Sequence, residues 1–179
     1  MGVNSKIKAI FLDRDGVLNK PVIINGKSYP PANINDLIIP NHLEKCLMEL
    51  KKIGFLLIMI TNQPDVSRGK TKIEDVEAIN NYLKEKLNLD DALCCYHDDN
   101  DNCDCRKPKP GMIFSAANKW KINLKKSFLI GDRWKDIESG KLAGLKTFLI
   151  DYSYNEKVVE PDYRVDDFRP IVKIINNNL

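Results

Sequence analysis

Asp13 and Asp15 stand two residues apart at the end of an apolar run, in the string IKAIFLDRDGVLN that spans Ile7–Asn19. Two carboxylates this close repel each other unless a cation or a shared proton comes between them. The pair suits a metal-assisted nucleophile with a neighbouring acid/base, and a solvated turn at a strand end is the plainer reading. Farther along, Thr61 adds a hydroxyl, Lys107 a positive charge and Asp132 a third carboxylate, a set that points to oxyanion chemistry. Asp13 and Asp132 are ligands of the type magnesium takes, since that ion binds a few carboxylates, retains water and leaves room for phosphate. No Gly-x-x-x-x-Gly-Lys phosphate loop occurs, which disfavours a P-loop nucleotide hydrolase.

A second constellation is Cys95-x-His97-x5-Cys103-x-Cys105. Three thiolates and one imidazole make a closed tetrahedral zinc site with no open position, hence a structural one. The alternative is a group of free cytosolic thiols. Zinc would rigidify the acidic loop 95–105, with Asp98, Asp99, Asp101 and Asp104, which has too little apolar surface to order itself. It would also fix Arg106 and Lys107 just beyond its last ligand. Cys94 points to the opposite strand face and reads as a packing residue.

The elements that must carry these residues alternate. Apolar runs at Ile7–Leu12, Phe55–Ile60, Ala92–Tyr96, Ser127–Ile130 and Lys146–Ile150 read as buried strands. Helical spacing covers about His42–Ile53, Ile73–Leu87, Gly111–Trp120 and Asp136–Ala143, with a last short helix from Asp167. Strands alternating with helices predict an α/β, Rossmann-like three-layer sandwich around a central parallel sheet. Asp13/Asp15, Thr61/Asn62 and Asp132/Asp136 all follow strands directly, and in a parallel sheet those positions share one edge. Lys20–Asp36, carrying Pro21, Gly26, Pro30 and Pro31, is a long connection that leaves from the carboxylates, and reads as a minimal lid.

The 179 residues suit a single domain spanning 1–179. A net charge of +3, from 28 basic and 25 acidic residues, is too mild for nucleic acid or a membrane surface as the main partner. No stretch approaches a membrane span, the start lacks the long apolar core of a signal peptide, and Lys6 spoils the myristoylation pattern that Gly2 opens. A cytoplasmic monomer or weak homo-oligomer is the expectation.

DRDGVLN, ITNQ, CRKPKPG and IGDRWKD, in this order, resemble the four motifs of the haloacid dehalogenase superfamily of phosphohydrolases. The resemblance implies that Asp13 attacks phosphorus and is transiently phosphorylated. Asp15 would protonate the leaving oxygen and then activate water. Thr61, Asn62 and Lys107 would bind the phosphoryl group, with Arg106 beside them. Asp132 would complete a magnesium site with Asp13 and the Asp15 backbone carbonyl, supported by Asp136 and Arg133.

With the cysteine loop, the motifs resemble the small-lidded subfamily that holds the D-glycero-D-manno-heptose-1,7-bisphosphate 7-phosphatases and the histidinol-phosphate phosphatases. ITNQPDVSRGK and RKPKPGM favour the heptose branch, and make Arg68 a candidate contact for a remote phosphate, or else a solvated turn residue. Pro64-Asp65, Tyr96 and Arg133 depart from the usual Ser-Gly, proline and lysine. The resemblance thus implies a magnesium-dependent phosphatase, stabilised by zinc, acting on a small phosphorylated sugar, heptose 1,7-bisphosphate at C7, in surface-polysaccharide (lipopolysaccharide) precursor synthesis. Histidinol phosphate is the alternative substrate, and a zinc-stabilised non-catalytic binding protein of the same fold the alternative class.

Overall fold

Strand β1 (Lys8–Leu12) lies at the middle of a six-stranded sheet, and its alternation builds both cores. Ile10 and Leu12 face one side, Ala9 and Phe11 the other, and all four are fully buried. The structure is a computed structural model and describes residues 7–25, 27–154 and 156–178. Gly2, Lys6 and Gly26, used in the sequence reading, lie outside the described residues.

Two strands form a small antiparallel pair in the first connection: β2 (Val22–Ile24) and β3 (Lys27–Tyr29). The main sheet adds β4 (Phe55–Asn62), β5 (Asp91–Cys95), β6 (Phe128–Gly131), β7 (Lys146–Ile150) and β8 (Tyr163–Val165). Its order is β5-β4-β1-β6-β7-β8 and every pairing is parallel. The chain crosses from β1 to β4 on one side and later returns to β6 on the other, so the order reverses around β1. A crevice opens at such a switch point, beyond the carboxyl ends of the strands.

Helices α1 (Leu43–Lys52), α2 (Ile73–Lys86) and α5 (Arg169–Asn176) cover one face through Leu43, Leu47, Ile79, Leu83 and Ile171. Helices α3 (Gly111–Trp120) and α4 (Trp134–Leu142) lie on the other. Met112, Ile113 and Ala116 of α3 join Phe11, Ile58 and Leu129 in the second core. In α4, Gly140 faces Thr147 and Leu129 with no room for a side chain. This is the expected three-layer α/β sandwich, with both sheet faces apolar because both are covered.

Three local expectations are corrected. Tyr163–Val165 forms a sixth strand of the main sheet, beyond the five expected from apolar runs: at the sheet edge only Val165 is buried, so three residues give no apolar run. The Lys20–Asp36 segment, expected only as a long connection, holds the β2–β3 pair and a 3-10 turn at Ile34–Asp36. Helix α4 starts at Trp134, before Asp136, because the Asp136 carboxylate reaches back to accept from the Arg133 backbone N–H. Among the described residues, no helix is long and apolar enough to cross a membrane.

Candidate active site

Asp13 follows β1 directly and its backbone N–H donates to the Ile130 carbonyl at 3.0 Å, which fixes its distance from β6. The turn after it depends on Gly16, at φ +94°, where a Cβ would come within 2.1 Å of Asp132 Oδ2. Only glycine lets the first strand's turn lie against the aspartate that ends the fourth expected strand. Gly131 plays a similar part, since a Cβ there would meet Asp136 at 2.2 Å.

Asp13, Asp132 and Asp136 bring one carboxylate oxygen each within 4.8 Å of one another, and all three are buried. Lys107 enters this group from the segment after the cysteine loop and is 3% exposed. Its ammonium donates to Asp13 Oδ1 at 2.8 Å, Asp136 Oδ1 at 2.6 Å and the Ile60 carbonyl at 2.9 Å. All three of its donors are therefore used. Asn62 places the backbone of that lysine, donating to its carbonyl at 3.0 Å and accepting from its N–H at 3.1 Å.

One ammonium does not neutralise three carboxylates. Burial, reinforced by the Asp136 charge and only partly offset by Lys107, pushes Asp13 up to about 7. Burial, with Asp13 and Asp136 adding to it, pushes Asp132 well above the ordinary carboxylate range. For Lys107, burial works against the charge, but the carboxylates of Asp13 and Asp136 prevail and hold it above the usual lysine value. Among the described residues, buried Asp132 Oδ1 accepts no hydrogen bond, an orphan acceptor of the kind a cation satisfies. Surplus negative charge, oxygen donors and that orphan all fit a hard divalent cation such as magnesium. The side-chain trio includes Asp136, whereas the sequence reading gave Asp13, Asp15 and Asp132 as the magnesium set.

The Asp15 carboxylate is not part of that trio. It is held by Arg14 (Nη2 at 3.0 Å), by Asn19 Nδ2 at 3.1 Å and by Gln63 Nε2 at 2.8 Å. Gln63 also donates to the Thr61 hydroxyl at 3.0 Å, tying the end of β4 to the acid/base candidate. Arg14 is 1% exposed and donates onward to Asn80 of α2 at 2.9 Å. Asp13, Asp15, Thr61 and Lys107 open together onto a cavity of about 340 Å³. Tyr29 and Pro30 of the first connection form part of its wall, the position expected of a small lid.

Arg68, Lys70, Arg133 and Lys135 add positive charge around the same cavity. Arg68 is exposed at the rim, where the carboxylates of Asp98 (Nε at 2.8 Å) and Asp65 (3.1 Å) pair with it. Arg133 pairs with Glu156. Arg106, placed by sequence beside the phosphate, is not brought to this cavity. It holds the cysteine loop instead, donating to Asp99 Oδ1 at 2.7 Å and to the His97 carbonyl at 3.2 Å.

The cysteine loop closes as expected. Cys95, His97, Cys103 and Cys105 present ligand atoms all within 4.8 Å of one another. The Sγ–Sγ separations are 3.7 Å for Cys95–Cys103, 3.5 Å for Cys103–Cys105 and 2.9 Å for Cys95–Cys105. A tetrahedron with Zn–S bonds of about 2.3 Å has edges of about 3.8 Å. Two of the three separations are close to that, the Cys95–Cys105 edge would have to open, and three thiols with one imidazole are the donor chemistry zinc takes. Cys94 is left out, and burial pushes its thiol up to about 12, away from thiolate chemistry.

Sequence reasoning missed Arg14, Gln63, Tyr152 and Tyr154. Arg14 carried a signal, since an arginine inside a buried strand end needs a carboxylate partner. Gln63 lay inside a quoted motif without a role. The tyrosines follow β7, the same carboxyl edge that carries every other site residue.

The chain's residues 104–170 match the HAD-hydrolase-like family model. A D-glycero-beta-D-manno-heptose-1,7-bisphosphate 7-phosphatase of Helicobacter pylori is 34% identical over 174 residues, covering 94% of this chain and 97% of that protein. A D-glycero-alpha-D-manno-heptose-1,7-bisphosphate 7-phosphatase of Photorhabdus laumondii is 37% identical, over 82% and 84% of the two chains. In fold the chain is similar to the D,D-heptose 1,7-bisphosphate phosphatase of B. bronchiseptica, a crystal structure complexed with magnesium and phosphate. The TM-score is 0.82 at 22% identity, covering 97% of this chain and all of that one.

Proposed function

The chain belongs to the HAD-like hydrolases, in the family of the D-glycero-D-manno-heptose-1,7-bisphosphate 7-phosphatases, and on that premise we propose that it removes the C7 phosphate of a heptose 1,7-bisphosphate through a phosphorylated Asp13. The observation that carries the reading is the position of Lys107, bonded to Asp13 and Asp136 beside an orphaned Asp132 oxygen, at the floor of the cavity. A carboxylate approaching an anionic phosphate needs its charge offset at that point.

In the first step an Asp13 oxygen forms a bond to phosphorus while the bond to the sugar oxygen breaks. Asp15 gives its proton to that leaving oxygen. In the second step Asp15 takes a proton from water, which attacks the same phosphorus; the bond to Asp13 breaks and inorganic phosphate leaves. Dividing the displacement in this way replaces one difficult step by two easier ones. Thr61 donates to a phosphoryl oxygen, and Lys107, its three donors engaged on Asp13, Asp136 and the Ile60 carbonyl, offsets the phosphoryl charge. Gln63 and Arg14 orient Asp15, and Asn62 and Asp136 hold Lys107 in place. Asp13 and Asp132, with the Asp15 backbone carbonyl, would hold magnesium, which would supply the charge neutralisation that lets anion meet anion.

Residues 1–179 form one phosphatase domain in this reading, and zinc on Cys95, His97, Cys103 and Cys105 holds the loop 95–105 in shape. A cytoplasmic location suits thiolates that must stay reduced. The cationic rim at Arg68, Lys70 and Lys135 suits a substrate with a second phosphate. Phosphate release is to be measured with magnesium from heptose 1,7-bisphosphate and from histidinol phosphate. The reading expects heptose 1-phosphate as product and almost no histidinol; the reverse preference overturns it.

A further inference from the structure

We infer that Tyr154 is a positioning residue for Asp132, presenting that carboxylate to the cation with one oxygen held and the other open; the inference rests on the magnesium reading above. The Tyr154 hydroxyl donates to Asp132 Oδ2 at 2.9 Å, while Oδ1 of the same buried carboxylate accepts nothing from the described residues. The other two members of the trio are treated differently. Lys107 contacts both Asp13 and Asp136, so those carboxylates already face a full positive charge. Tyr154 is a neutral donor: it fixes the orientation of Asp132 without cancelling the charge that draws in the cation. Carboxylate ligands are commonly held by such an outer hydrogen bond.

Tyr154 is itself braced. Its ring stacks on Tyr152 with centroids 5.6 Å apart and planes 19° off parallel. The Tyr152 hydroxyl donates to the Gly16 carbonyl at 3.2 Å. Gly16 is the residue whose missing Cβ makes room for Asp132 Oδ2. The segment after β7 therefore grips both walls of the pocket in which the Asp132 carboxylate sits, and the Arg133–Glu156 pair ties down its far end.

Tyr154→Phe removes the hydroxyl and keeps the ring on Tyr152. Magnesium binding to metal-free protein is to be measured by calorimetry for wild type and variant, with thermal midpoints taken to establish that both are folded. The expected result is a magnesium dissociation constant raised about 10-fold. An unchanged dissociation constant overturns the inference, whether or not kcat falls. A wild-type chain that binds no magnesium overturns the metal reading itself, and the inference with it.

Discussion

Lys107 Nζ lies 2.8 Å from Asp13 Oδ1, so the proposed nucleophile is tied to a buried ammonium delivered by a segment distant in sequence. The same lysine reaches Asp136 at the start of α4. It thus links the ends of β1 and β6.

Replacing Lys107 by Met leaves Asp13 and Asp136 as buried carboxylates without their counter-charge. Breaking such a buried pair costs about 3–5 kcal/mol. Denaturant unfolding of the magnesium-free variant should show a loss of that size, and phosphate release should fall to background. A variant as stable as wild type contradicts the pairing.

Gly16→Ala tests the close approach of the two strand ends. The residue is at φ +94°, and its new Cβ would collide with Asp132 Oδ2. A left-handed conformation alone costs a side chain about 1–2 kcal/mol. Thermal unfolding should register at least that loss, together with weaker magnesium activation. Unchanged magnesium dependence would mean that the Asp132 carboxylate does not depend on the Gly16 contact.

The pH dependence of magnesium-free protein should separate wild type from Asp13→Asn. Burial and Asp136 raise Asp13 to about 7 from its ordinary 3.8, so the folded state holds this proton more tightly than the unfolded chain. Its contribution to stability is full below 3.8 and is lost as pH rises through about 7. Unfolding free energies measured from pH 4 to 8 should therefore show the wild type losing stability relative to the variant, which carries no titrating group at position 13. A pH-independent difference contradicts the assigned environment.

The cysteine loop makes its own prediction. Purified protein should carry one zinc ion per chain by elemental analysis, and Cys105→Ser should lose it. Because Arg68 and Lys135 of the cavity rim are anchored on Asp98 and Asp99 of that loop, its loosening should raise KM more than it lowers kcat. Full zinc occupancy in the variant contradicts the ligand set.

Strand-end positions were readable because the chemistry is written there in residue types: Asp13, Thr61 and Asp132 each end an apolar run, and parallel strands force such ends together. The cysteine loop was readable because its ligands are close in sequence. What escaped notice depends on distance. Tyr154 is an ordinary polar tail residue until β7 and β8 place it over Asp132, and Arg106 looked like a phosphate ligand until the folded loop turned it onto Asp99. Short β8 was hidden because an edge strand needs to bury only Val165.

Covalent trapping tests the central claim most directly. Wild-type enzyme turning over heptose 1,7-bisphosphate radiolabelled at the C7 phosphate is quenched in acid, digested and mapped. The account predicts hydroxylamine-labile label on the peptide carrying Asp13, and none in Asp13→Asn, which is folded and releases no phosphate. Label on another residue, or phosphate release by Asp13→Asn at the wild-type rate, would contradict it.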